Sequence, residues 1–288
     1  MHCHFLRFPG GKPKAVTLSY DDGVYSDIRM AEILNRYGIK CTFNINSAFI
    51  AEKTGGRRLT EDEIRQHLLD AGHEIAVHGH EHKPSGINRS VENIQDVLNC
   101  RLELEKRFGR IVRGMAYPDT GITLFQNGAT YASVRQNLQA LDIVYARTLG
   151  GENNRFALPQ DWYAWTPNAH HSHPQVLDFA REFVALKNDE GYMPSRWPRL
   201  FYLWGHSYEF DDHNNWDHLE NICRILSGRE DVWYATNMEI WEYVHAYDSL
   251  VFSADSTRVY NPTLIPVWFM VDGVLYAVDP GQTIQICQ

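Results

Sequence analysis

The segment Ala15-Val-Thr-Leu-Ser-Tyr20, followed at once by Asp21-Asp22-Gly23, decides how the chain reads. An apolar, β-branched run that stops at a turn signal is a strand. Residues 26–37 then carry Ile28, Met30, Ala31, Ile33 and Leu34 at helical spacing, and Gly38 ends them. Cys41-Thr-Phe-Asn-Ile-Asn46 is a second strand. Strand, helix, strand in about thirty residues is the start of a β/α alternation.

The alternation continues outward from there. Thr60-Glu-Asp-Glu63 forms a capping box for a helix to about residue 71. His73-Glu-Ile-Ala-Val77 is a strand, and Ser90 opens an amphipathic helix reaching Phe108. Strands at 113–117, 143–147, 200–204 and 232–236 alternate with helices at 131–141, 174–187, 216–226 and 238–246. Roughly seven β/α units call for parallel strands with right-handed crossovers, and a barrel is the natural closure. Beyond residue 248 the rhythm changes. Val251-Phe-Ser, Leu264 to Met270 and Val274 to Val278 are strand-like, with turns at Asp272-Gly273 and Pro280-Gly281. The expected organisation is a barrel domain over 1–248 and a small all-β extension over 249–288 that packs on it.

Composition narrows the function. The 288 residues carry a net charge of −9 with no basic run, which argues against nucleic acid and anionic membranes as partners. Cys3, Cys41, Cys100, Cys223 and Cys287 form no Cys-x-x-Cys pair, so a reducing compartment is expected. No window approaches 18 apolar residues and no apolar leader opens the chain, so the expected location is cytoplasmic. Nothing in the sequence speaks to oligomeric state.

Four features fall just after strands, where a barrel of this kind opens its active site. Asp21 and Asp22 are adjacent carboxylates, costly together unless a cation sits there; the alternative is a solvated turn capping the next helix. His73, His78, His80 and His82 lie within ten residues. One helical turn after the strand would place His78 and His82 on one face. With an Asp they make an open ligand set for a catalytic metal. His80 then points elsewhere, and His73 sits at the far end of its strand. Arg113-Gly-Met-Ala-Tyr117-Pro118 brings an arginine that needs a partner in a barrel, for which Asp21 is the obvious carboxylate. Leu203-Trp204-Gly205-His206 puts one more His at a strand end, where a satisfied core histidine is the plainer reading.

Together these motifs resemble the polysaccharide deacetylases of the NodB-homology type, carbohydrate esterase family 4. Asp-Asp-Gly, then His-x-x-x-His about 55 residues on, then Arg-x-x-x-Tyr-Pro about 30 further and Leu-x-x-His late carry the resemblance, over roughly residues 14–246. It implies a distorted (β/α)7 barrel. Asp22, His78 and His82 would hold one divalent metal, zinc by default, with cobalt, nickel, manganese or iron also acceptable to such a set. Asp21 would be the general base, Arg113 its orienting residue, the Tyr117 N–H an oxyanion donor, and His206 the general acid. Gly79 departs from the family's usual Ser or Thr, and Tyr117-Pro118-Asp119 from its Pro-aromatic-Gly. The Asp-x-x-Asp-Trp motif that supports the acid is absent from its usual place, which leaves Asp161-Trp162 or Glu209 to support His206. Trp162, Trp165, Trp204, His170 and His171 are candidates for lining a substrate groove, a packed loop being the alternative for those between 152 and 173. The expected reaction is hydrolytic removal of acetyl groups from a carbohydrate, an N-acetylated amino sugar in a short oligosaccharide being favoured. Rival readings are an O-acetyl xylan esterase, a cyclic-amide hydrolase of the same fold, a carbohydrate-binding protein without catalysis, and a structural zinc domain.

Overall fold

Strand parity along Lys14–Asp21 sets the architecture. Val16, Leu18 and Tyr20 enter one apolar cluster, while Ala15 enters another on the opposite face. Side chains alternate across a strand, so Thr17, Ser19 and Asp21 share the face of Ala15. All eight residues are buried, as expected of a strand covered on both faces in a parallel sheet.

The computed structural model describes residues 3–151, 153, 155–188 and 193–286. Cys287, and Glu152 and Asn154 of the 152–173 loop, fall outside them. In order, the elements are β1 (His4–Arg7), β2 (Lys14–Asp21), α1 (Ser26–Arg36), β3 (Thr42–Ile45), α2 (Glu61–Glu63, continuing as a π-helical turn Ile64–Leu69), β4 (Glu74–Val77), α3 (Ser90–Phe108), β5 (Gly114–Ala116), α4 (Tyr131–Ala140) and β6 (Tyr145–Arg147). Then follow β7 (Ala169–His170), α5 (Val176–Ala185), β8 (Arg199–Gly205), α6 (Tyr208–Asp212), α7 (Trp216–Leu226), β9 (Val232–Tyr234) and α8 (Asn237–Asp248). The chain ends in β10 (Val251–Phe252), β11 (Arg258–Tyr260), β12 (Val267–Val271), β13 (Val274–Val278) and β14 (Thr283–Gln285).

The main sheet runs β6-β5-β4-β3-β2-β8-β7, all parallel, with β9 alongside the first half of β2. It curls into a distorted barrel. Its two edge strands are linked by a bridge between Arg147 and Trp165, four residues before β7. The capping box at Thr60 and Glu63 forms as the sequence predicts, with both reciprocal bonds present. Beyond α8 the extension makes two three-stranded sheets, β1-β12-β13 and β10-β11-β14. The first recruits the N-terminal strand, which the sequence reading had not assigned. Tyr243 of α8 pins it, donating to the Arg7 carbonyl at 2.8 Å and accepting from the Trp268 N–H at 2.9 Å. Cys41, Cys100 and Cys223 are buried free thiols. No helix among the described residues is long and apolar enough to cross a membrane.

Candidate metal and acid–base site

Because the strands are parallel, their C-terminal ends gather at one mouth. Asp21 closes β2, His78 follows β4, Arg147 closes β6, His170 closes β7 and His206 follows β8. Asp21, His78 and His206 border one cavity of about 310 Å³ with Asp22, His82, Tyr117, Asp119, Leu149, Trp204 and Tyr208, and Arg147 and His170 pack against the Trp204 ring of its wall.

Asp21 is the hub. Asn44 of β3 donates to its Oδ1 at 2.8 Å, and Arg147 donates to its Oδ2 at 2.5 Å. Two imidazoles approach the same Oδ2, His78 Nε2 at 3.8 Å and His206 Nε2 at 3.9 Å. Burial, the largest single effect, pushes the Asp21 carboxyl up, but the Arg147 guanidinium, His78, His206 and the Asn44 hydrogen bond together outweigh it. The net result is a pKa below the ordinary carboxylate value, so Asp21 stays ionised. Arg147 itself is 0% exposed, and its guanidinium lies 4.5 Å from the centre of the Trp204 ring.

Asp22, His78 and His82 come together beside this hub. One ligand atom from each lies within 4.8 Å of the other two. His82 Nε2 stands 3.7 Å from Asp22 Oδ1. His78 donates from Nδ1 to the Ala116 carbonyl at 2.9 Å, which turns its Nε2 lone pair toward the cavity. The turn that joins the two histidines is not helical. Gly79 and His82 both have left-handed backbones, at φ 74° and 59°. Asp96 of α3 holds it, accepting from the Glu81 N–H at 2.8 Å. A Cβ at position 79 would meet Asp96 Oδ2 at 2.4 Å, which accounts for the glycine there. Asp22 is also left-handed, at φ 89°, and Arg58 stands 3.6 Å from its carboxylate. Backbone strain at two of three ligands is typical of a site that over-determines its geometry. Two imidazoles and a carboxylate with positions to spare suit a divalent ion. His80 turns away, hydrogen-bonded to Ser47 at 2.8 Å, and buried His73 lines a cavity at the opposite end of the barrel.

His206 faces Asp21 through Nε2 and Glu209 through Nδ1, 3.0 Å from Glu209 Oε1. Glu209 is clamped on its other oxygen by His171 at 3.0 Å and His170 at 3.4 Å. His171 stacks against the rings of Tyr20 and Phe210, in space that a Cβ at Gly205 would occupy. Burial lowers the His206 pKa, but Glu209, Asp21 and Asp22 together raise it above the ordinary histidine value. That is the direction a proton donor needs.

Four sequence expectations are corrected. Arg113 precedes β5 and so lies at the far end of the barrel, where it pairs with Asp142 at 2.7 Å and borders the His73 cavity. Arg147 takes its place on Asp21. The Tyr117 N–H is already committed to the Arg147 carbonyl at 3.0 Å, so it cannot serve as an oxyanion donor, although its ring borders the cavity. Trp165 is 1% exposed and packed against Tyr145 and Tyr202. Trp162 packs on Trp165 and His245 instead of on the groove. Of the three tryptophans only Trp204 borders the cavity. Asp161 caps its own loop and binds Tyr131, leaving Glu209 as the residue that supports His206. Arg147 was within reach of sequence reasoning: it ends a predicted strand at the mouth, two residues on from Tyr145 and so on the same face.

Comparison with known proteins bears on the fold that carries this site. Residues 9–142 match the family model described as polysaccharide deacetylase. No functionally curated protein sequence matches. Among solved structures, a putative polysaccharide deacetylase from Mycobacterium smegmatis aligns at 16% identity and TM-score 0.54, covering 84% of this chain and 94% of that one. The Xyl-CE4 domain of a multidomain xylanase from the hindgut metagenome of Trinervitermes trinervoides aligns at 14% and 0.52, covering 82% and 92%. A family 4 carbohydrate esterase from Streptomyces lividans, in complex with acetate, aligns at 16% and 0.50, covering 78% and 93%. At these identities the likeness speaks to the fold.

Proposed function

We propose, for a chain whose residues 9–142 match the polysaccharide deacetylase family model, that the barrel mouth hydrolyses acetyl groups from a carbohydrate with the help of one divalent metal. The observation that carries this reading is a single carboxylate, Asp21, held by a buried arginine between a three-ligand set and a polarised histidine. A divalent ion on Asp22, His78 and His82 would polarise the acetyl carbonyl and acidify water, with zinc the default and cobalt, nickel, manganese or iron tolerated.

The chain's own residues do the proton work. Asp21, ionised by Arg147, accepts the proton of the attacking water. His206, biased toward its charged form, delivers a proton from Nε2 to the departing nitrogen or oxygen. Glu209, fixed by His171, keeps the imidazole aimed. No covalent enzyme intermediate is needed. Trp204 and Tyr208 give the cavity aromatic walls suited to a sugar ring.

For the substrate we favour an N-acetylated amino sugar in a short oligosaccharide over O-acetyl xylan. An amine leaves poorly without protonation, and the site devotes His206 and Glu209 to supplying it. The cavity, about 310 Å³, is scaled to one sugar residue. Acetate release by the metal-loaded protein from N-acetylglucosamine oligomers, peptidoglycan fragments and acetylated xylan tests the choice. Release from an N-acetylated oligomer is expected. Release from xylan alone would show an esterase.

A further inference from the structure

We propose a second divalent-cation site, formed by His170 Nε2, His206 Nδ1 and the Glu209 carboxylate, whose occupation switches the proton donor off. The ligand atoms of this set, like those of the first, lie within 4.8 Å of one another. The imidazoles approach different oxygens of one carboxylate, His206 Nδ1 at 3.0 Å from Oε1 and His170 Nε2 at 3.4 Å from Oε2. The carboxylate is anchored from behind, since His171 binds Oε2 at 3.0 Å and is itself packed against Tyr20 and Phe210. Two imidazoles and a fixed carboxylate match the donor chemistry of zinc and its neighbours.

Protons balance within the site. His170 Nδ1 lies 2.7 Å from Ser172 Oγ and accepts from the Ser172 N–H at 3.2 Å, so a cation on Nε2 requires the ring proton to move to Nδ1, where it is donated to the hydroxyl and the backbone contact is given up. His206 is the sensitive partner. With a cation on Nδ1 its single remaining proton sits on Nε2, and the imidazolium that protonates a leaving group cannot form. Excess metal would therefore inhibit, whereas one equivalent would activate. The inhibitory effect rests on the deacetylase reading above; the binding itself does not.

Zinc titration of protein already loaded with one equivalent, followed by equilibrium dialysis, tests it. A second, weaker binding event is expected, with acetate release falling as that event saturates. In His170→Ala the first equivalent should remain, the second event should weaken by more than about ten-fold, and the remaining activity should become insensitive to excess zinc. Glu209→Gln, nearly isosteric, should weaken the same event and serves as a check on folding. A single binding event in the wild type, or a second of unchanged affinity in both variants, would overturn the proposal. If the second event depends on His170 while no substrate yields acetate, the cation site stands and the deacetylase reading falls.

Discussion

Arg147 and Arg113 show what a sequence reveals about single residues. Both are arginines next to β-strands, and spacing alone favoured Arg113. Strand direction separates them: Arg113 precedes its strand and Arg147 ends its own. Arg147 is buried against Asp21, whereas the Arg113–Asp142 pair is partly solvated. Removing one partner of a buried ion pair costs roughly 3–5 kcal/mol, and an exposed pair contributes about 0–1 kcal/mol. We therefore expect Arg147→Ala to lower acetate release by about 100-fold and to reduce stability measurably. Arg113→Ala should change either quantity little. Steady-state acetate release and urea denaturation of both variants check this, and the reverse ranking would return the orienting role to Arg113. Asp21, Asp22, His78, His82 and His206 were legible because they are unusual residues at strand ends. The Glu209 clamp was only half legible, because His170 and His171 reach Glu209 through tertiary packing across 35 or more residues.

Elements were readable in proportion to their length. The 19-residue α3 and the eight-residue β2 follow the periodicity of their sequences closely. The two-residue β7 and five-residue α6 carry too little pattern to be seen, yet they deliver His170 and Glu209. β1 was missed because its strand character depends on pairing with β12, some 260 residues away. At the other end of the barrel, Glu74 of β4 ties three elements together. It accepts from Tyr145 at 2.6 Å, Thr42 at 2.7 Å and the Met238 N–H at 2.9 Å. Burial nevertheless dominates, pushing its pKa up to about 7. The folded state thus holds this proton more tightly than the unfolded chain, where the pKa is near 4.5. The stabilisation is complete below that value and is lost as pH rises toward 7, amounting to about 3 kcal/mol. Glu74→Gln should flatten the stability profile between pH 4.5 and 7. Urea midpoints across that range check it, and an unchanged slope would place the titration elsewhere.

For the molecule as a whole, the β extension and the barrel are interleaved. β1 belongs to the extension's sheet although it opens the chain, and Tyr243 bonds to both. A boundary at residue 248 therefore cuts the sequence more cleanly than the structure. The catalytic candidates all come from the barrel, at the mouth that parallel strands create and the sequence rhythm predicted. That the fold positions Asp21 to act on water beside a metal held by Asp22, His78 and His82 is the central claim. The most direct test is the acetate-release rate of metal-loaded Asp21→Asn, with metal content determined on the same sample. We predict one metal per chain retained and a rate lower by at least about 100-fold. Near wild-type turnover, or loss of the metal, would contradict the account.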